Sequence, residues 1–295
     1  MNCTRLVRTA ILVASISFLV YNIYETIIAT MFISHFPSLV QRLPNFIQST
    51  NPSLQLAVFL TQEVAGSIGA YIRLIGAIFA VSFAVLFYRR KPTYLNMLSK
   101  ALLFESLYFL LFIPVVINHF IGSIISTSPF LNFNTGLSYL IQIILISPPL
   151  FILSLKLKRS SKETSTLSWA LIATPLYLFA VWIKHFFMWL YGVLPMQTQP
   201  TLMDTVGTVN SLVTLPLATI TAGIACFMIK TNNWKPKMRI YLLSLAVMFA
   251  GTYFVIYDFI SIFSPNYSAY LLLTDVWMVT FLVLGIALFY EYRKI

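Results

Sequence analysis

The sequence predicts an all-α polytopic membrane protein: eight transmembrane helices forming four hairpins, with both termini cytoplasmic. Three observations lead there. Hydrophobic residues fill 59% of the 295 positions and charged residues only 9%, where a soluble domain carries about 25% charged residues, and the mean hydropathy is +0.86. Apolar runs able to cross a bilayer, which takes about 20 residues at 1.5 Å each, recur along the whole length. Lys and Arg collect at alternate ends of those runs.

The runs are 9–32, 66–88, 101–122, 135–155, 167–191, 205–229, 240–263 and 268–290. They pair into hairpins over 9–88, 101–155, 167–229 and 240–290, and 1–295 reads as a single transmembrane helical domain. The first run follows Arg5 and Arg8 as a signal peptide would, but it continues to Phe32 without a small-residue cleavage site, so it is expected to remain as a span. The segment 33–65, with Pro37, Pro44 and Pro52, is expected to be an outer loop or an interfacial segment, and 54–65 either extends the second span or forms a separate helix. In the fourth span Pro148-Pro149 should kink or widen the helix, because two backbone donors are missing and both rings crowd the preceding turn. Pro114, Pro175 and Pro216 are expected to act more mildly in three other spans. Gly is sparse at 10 residues while Phe and Tyr number 25 and 16, which predicts bulky packing and aromatic belts rather than close glycine contacts.

The charges fix the expected direction. The clusters are Arg5/Arg8, Arg89/Arg90/Lys91/Lys100, Lys156/Lys158/Arg159/Lys162, Lys230/Lys235/Lys237/Arg239 and Arg293/Lys294. With eight spans, all of the 19 Lys and Arg except Arg42, Arg73 and Lys184 fall on one side. The positive-inside rule makes that side cytoplasmic, and an odd number of spans would scatter the clusters over both faces. The net charge of +11 is then a record of topology, and specific nucleic-acid binding is not expected. Cys3 and Cys226 fall on the cytoplasmic side, where no disulfide is expected, and no metal-ligand spacing occurs. Asn266-Tyr267-Ser268 is an N-glycosylation acceptor pattern in the last outer link.

A degenerate internal repeat is also expected. Leu98-Ser99-Lys100-Ala101-Leu102 with Tyr108 matches Leu167-Ser168-Trp169-Ala170-Leu171 with Tyr177, and Leu243-Ser244-Leu245-Ala246-Val247 with Tyr253. A faded copy has Ile11, Ala14 and Tyr21 in the corresponding places, and the intervals between copies are irregular.

Ionisable groups within a bilayer are costly and by default mark function. Counted from the cytoplasmic end of each span, Glu105 lies near the inner interface and needs no special account. Asn22, Asn118 and His119 lie higher, as do the candidate substrate- or ion-binding residues Glu25, Arg73, Lys184, His185, Asp258 and Asp275. Three carboxylates against two cations is the near-balance that mutual pairing would give, since an unpaired charge in hydrocarbon is strongly disfavoured. A polar cavity in the outer half, closed below by apolar packing, is expected. Structural ion pairs and snorkelling to the headgroups are the plainer accounts of the same residues.

There is no HExxH, GxSxG or Walker loop, and His35, His119 and His185 give no paired haem ligands. The sequence therefore leans away from an enzyme, and no catalytic residue, cofactor or metal is expected. The expected function is a transporter or channel-like protein for a small solute or ion. The alternative is a membrane-anchoring subunit of a larger complex, of the electron-transfer or secretion/DNA-transfer type, with no catalytic activity of its own. Its expected surroundings are the lipid bilayer of the cell membrane, with further copies of the chain or partner membrane subunits.

Overall fold

A computed structural model describes residues 5–42, 52–125, 129–159, 202–231, 236–262, 279–280 and 282–290, with Phe179 and Trp182 as isolated positions. All the regular structure among them is helical: α1 (Arg5–Arg42), α2 (Pro52–Tyr88), α3 (Tyr94–Leu110), α4 (Ile113–Ile125), α5 (Pro129–Arg159), α6 (Leu202–Thr231) and α7 (Pro236–Ile262), then a helical stretch over 282–290. Four runs among the described residues are long and apolar enough to cross a membrane: Arg5–His35, Leu60–Tyr88, Tyr94–Ile124 and Thr135–Leu155. The shorter runs Leu212–Ile224 and Tyr241–Tyr253 are also apolar. The fifth expected span, 167–191, lies outside the described residues apart from Phe179 and Trp182, as do Lys184, His185, Asp275 and the acceptor triplet at Asn266.

The helices run on past the expected span ends. α1 continues to Arg42 and α2 begins at Pro52, so much of the segment read as an outer connection is helix. α1, α2, α3 and α5 are sequential antiparallel neighbours, and side chains fix the register. Arg8 Nη1 donates to the Tyr88 carbonyl at 3.1 Å and Thr26 Oγ1 to the Ala70 carbonyl at 3.3 Å. Ser99 Oγ donates to the Ser154 carbonyl at 2.8 Å, and Ser106 Oγ to the Ser147 carbonyl at 2.9 Å. The Ser147 hydroxyl returns the bond to the Ser106 carbonyl at 3.0 Å. The start of α1, the α2–α3 turn and the end of α5 therefore share one end of the bundle, and with them stand Arg5, Arg8, Arg89–Lys91 and Lys156–Arg159. The stretch 282–290 joins that end through Ala287, packed on Val7 and Ala10.

Small residues line the helix seams, beside buried bulky ones such as Phe109, Leu215 and Tyr253. Ala70, Ala77 and Ala84 repeat every seven residues along the buried face of α2, the spacing that keeps one seam facing a neighbour. Ser99, Ser106, Ser147 and Ser154 are buried, whereas Val13, Ile16, Val20, Ile23 and Ile27 face outward along α1. Small side chains let backbones approach and dispersion act over a long seam, while β-branched side chains meet lipid at no loss. Ala and Ser supply much of this close packing. The tightest contact nevertheless uses glycine: a Cβ on Gly251 of α7 would fall 2.5 Å from the Leu282 backbone nitrogen, and one on Gly285 2.8 Å from the Met248 nitrogen.

The prolines differ in what they do to the helices. α5 continues as helix through Pro148-Pro149, braced by the Ser147–Ser106 bonds beside them. Pro114 instead interrupts the third span. Its missing N–H and its ring both act on the carbonyl four residues back, which is Leu110, the last residue of α3. The chain tightens there, with Leu111 N bonded to the Tyr108 carbonyl at 3.1 Å and Phe112 N to that of Phe109 at 3.2 Å, and helix resumes with Val116 N on the Phe112 carbonyl at 3.0 Å.

The matching segments that begin at Leu98 and Leu243 bury the serine and the alanine at corresponding places but use the serine differently. Ser99 bonds across to Ser154, whereas Ser244 Oγ donates to the Tyr241 carbonyl of its own helix at 2.7 Å.

Candidate functional site: a polar cavity at the α3–α4 break

α2 carries Arg73 into the bundle about 22 Å above its end at Tyr88, at 1.5 Å per residue. Three rings from two neighbouring helices surround the guanidinium: Tyr108 at 4.6 Å, Phe18 at 5.2 Å and Tyr21 at 5.8 Å from Cζ. Each ring face attracts a cation held within about 6 Å. Arg73 Nε lies 3.4 Å from Glu105 Oε1, with the two side chains 16% and 22% exposed.

Glu105 is expected near the inner interface when the third span starts at residue 101; α3 starts at Tyr94, which puts Glu105 about 16 Å up the helix, near the level of Arg73. Lys100 reaches over the Phe79 ring at 5.2 Å.

Beside the ion pair lies a cavity of about 320 Å³, room for roughly ten waters at about 30 Å³ each. α1 supplies Asn22, Glu25 and Phe32 to its wall, α2 supplies Glu63, Gly66 and Arg73, and the α3–α4 break supplies Tyr108, Leu111, Phe112 and Val115. These residues run from about mid-length of the helices, at Asn22, Arg73 and Tyr108, toward the end away from the basic one. The half nearer the basic end is filled by rings, with Phe79 stacked on Phe104 at 5.6 Å and Tyr94 edge-on to Phe87 at 5.2 Å.

Two polar groups in the wall are held in place. The Tyr21 hydroxyl donates to Glu25 Oε1 at 3.0 Å. Asn22 is fully buried and its Nδ2 donates to the Phe18 carbonyl at 2.7 Å. Its Oδ1 has no hydrogen-bond partner among the described residues, which for a buried amide oxygen costs about 1–3 kcal/mol. Higher up, Asn118 donates to Gln62 and ties α4 to α2, and the His119 ring stacks on Tyr139 of α5 at 5.8 Å.

Of the six expected site residues, Glu25 and Arg73 share this cavity. Asp258 stands on α7, a helix that gives nothing to the cavity wall, and Lys184, His185 and Asp275 lie outside the described residues. Glu63, Glu105 and Tyr108 were not among the expected residues. Glu63 escaped because the second span was started at Gly66. Among the described residues no group of three or more His, Cys, Asp or Glu is gathered as a metal site would require. Comparison with known protein families, curated proteins and solved structures finds no match.

Proposed function

We propose that the protein is an eight-span membrane transporter or channel-like protein for a small solute or ion, with its basic end cytoplasmic and its binding site in the outer half. The observation that carries this reading is the cavity. Charged and polar groups line a space of solute size, its lower side is closed by stacked rings, and a buried acceptor in its wall awaits a donor. A membrane-buried group left short of a bond is expensive, and a structure built only for stability would have an apolar residue at Asn22. The alternation of basic clusters supports the direction, and the proline break in the cavity wall supplies a point about which the upper half could move.

The test is reconstitution of the full chain in liposomes and measurement of flux for a panel of small cations, anions and neutral solutes. Flux that falls at least tenfold in Glu25→Gln and in Arg73→Met supports the reading. No flux of any solute, together with a partner subunit that stays bound through purification in mild detergent, would return the protein to the class of membrane-anchoring subunits.

A further inference from the structure

We propose that the solute is an amphiphile that enters from the bilayer: a single alkyl chain with an uncharged hydroxyl head. The head occupies the polar cavity, and the chain runs through a side window into an apolar groove on α2. This rests on the reading of the cavity as a solute site, and it names the class of molecule and its route.

The window comes first. A second cavity, of about 360 Å³, lies along α2, and most of its wall is Leu60, Val64, Ala65, Ile68 and Leu111. Val64 and Ile68 are 44% and 47% exposed, so the groove belongs to the outside of the bundle. Ala65 and Leu111 stand in the walls of both cavities. The two spaces therefore meet between α2 and the α3–α4 break, parted by one methyl and one leucine side chain. The bond from Asn118 to Gln62 closes this gap above. Below, Tyr108 packs on Gly69, where a Cβ would stand 3.4 Å from the ring. Gln62 and Gly69 are about 10 Å apart along the helix, and the gap between them is filled by Leu111. That leucine sits in the break itself, between the end of α3 and the start of α4.

The polarity on the two sides selects the molecule. The outer groove offers an alkyl chain apolar contact and asks nothing else of it. On the inner side Asn22 Oδ1 has no partner among the described residues, and carboxylates share the wall with the Arg73 guanidinium. An ionised carboxylate only accepts hydrogen bonds and a guanidinium only donates them, whereas a hydroxyl does both. A hydroxyl head can bond to each of these groups, whatever pairs they form among themselves. It adds no charge to a set that already holds both signs. A polar head leaving water needs such bonds, and a site with a few placed polar groups beside apolar walls is the usual form of a small-molecule pocket.

The experiment is photo-crosslinking of the full chain in lipid nanodiscs. The probes are monooctanoylglycerol, octanoate and octylammonium, each with a diazirine near the end of the chain, and labelled sites are read by peptide mass spectrometry. The glycerol-headed probe is expected to label 60–68 and Leu111 at least fivefold more than outward residues of α1 such as Val20 and Ile23, and more than either charged probe does. Val64→Trp should lower that labelling at least fivefold by filling the groove. Gly66→Met should do the same by filling the polar cavity, since a Cβ at Gly66 meets nothing within 4 Å. Labelling spread evenly over α1 and α2 is the signature of surrounding lipid and would overturn the proposal. Equal or stronger labelling by a charged probe would overturn it too, as would labelling that survives either substitution. Labelling and flux fail separately. Specific labelling without flux of any solute removes the transporter reading and keeps this site. Flux of a water-soluble solute that Gly66→Met blocks, without specific labelling, removes this site and keeps the transporter.

Discussion

Arg73 shows how a single side chain organises a membrane interior. Its charge is met by Glu105 on α3 and its flat faces by rings from α1 and α3, so one residue of α2 ties three helices together. Loss of either partner removes this ion pair and leaves one side of it in the bundle interior. Arg73→Met is expected to destabilise the protein by about 3 kcal/mol, and Glu105→Met by a similar amount, while the double substitution should recover most of the loss because no charge is stranded. Thermal unfolding in detergent across the four variants reads the coupling directly. At this scale the sequence was partly legible. Intramembrane charge singled out Glu25 and Arg73, which share the cavity wall. It passed over Glu105 and Glu63 because depth was counted from apolar span ends, and helices do not end where apolarity does.

Individual helices are set by their ends and their breaks. α2 closes with Arg90 at φ 57°, its N–H bonded to the Phe87 carbonyl at 3.1 Å and that of Lys91 to the Leu86 carbonyl at 2.9 Å. This is the Schellman arrangement, in which glycine is the usual left-handed residue. Arg90→Gly is expected to raise stability by about 1 kcal/mol, the approximate strain of a side chain in that conformation, as a higher unfolding temperature in detergent. A basic residue there suits the positive-inside pattern at the expense of the local backbone. Along α3 and α5, Ser106→Ala and Ser147→Ala should each cost about 1 kcal/mol and be less than additive together, since the pair shares reciprocal bonds. Which proline interrupts a helix was not legible in the sequence: α5 continues through Pro148-Pro149, while α3 ends at Leu110, four residues before Pro114.

For the molecule as a whole, the order of helices follows from small-residue seams. α1, α2, α3 and α5 pack in sequence, α6 packs on α7 through Leu215, Ala218, Ala222, Ala246 and Ala250, and the stretch 282–290 links α7 to α1 through Gly285 and Ala287. Gly285→Leu should cost about 2–3 kcal/mol by forcing backbones apart. It should also weaken cross-linking between cysteines placed at Ala10 and Ala287. Membrane-impermeant thiol labelling of intact cells is expected to miss cysteines placed at Arg90, Lys158 and Lys237, and reaction at any of them from outside would overturn the proposed direction. The charge pattern made the gathering of basic residues at one end legible. Which residues would meet in the interior was not legible, because alanine and serine seams are only weakly distinct from the apolar background in a chain this hydrophobic.

The gap between α3 and α4 has a mechanical meaning. Pro114 has removed one of the hydrogen bonds that would resist bending at Leu111–Phe112, so tilting α4 about this point meets less resistance than in a continuous helix. Leu111, Phe112 and Val115 form both the pivot and part of the cavity wall. Swinging α4 therefore reshapes the cavity, and whatever fills the cavity stiffens the joint.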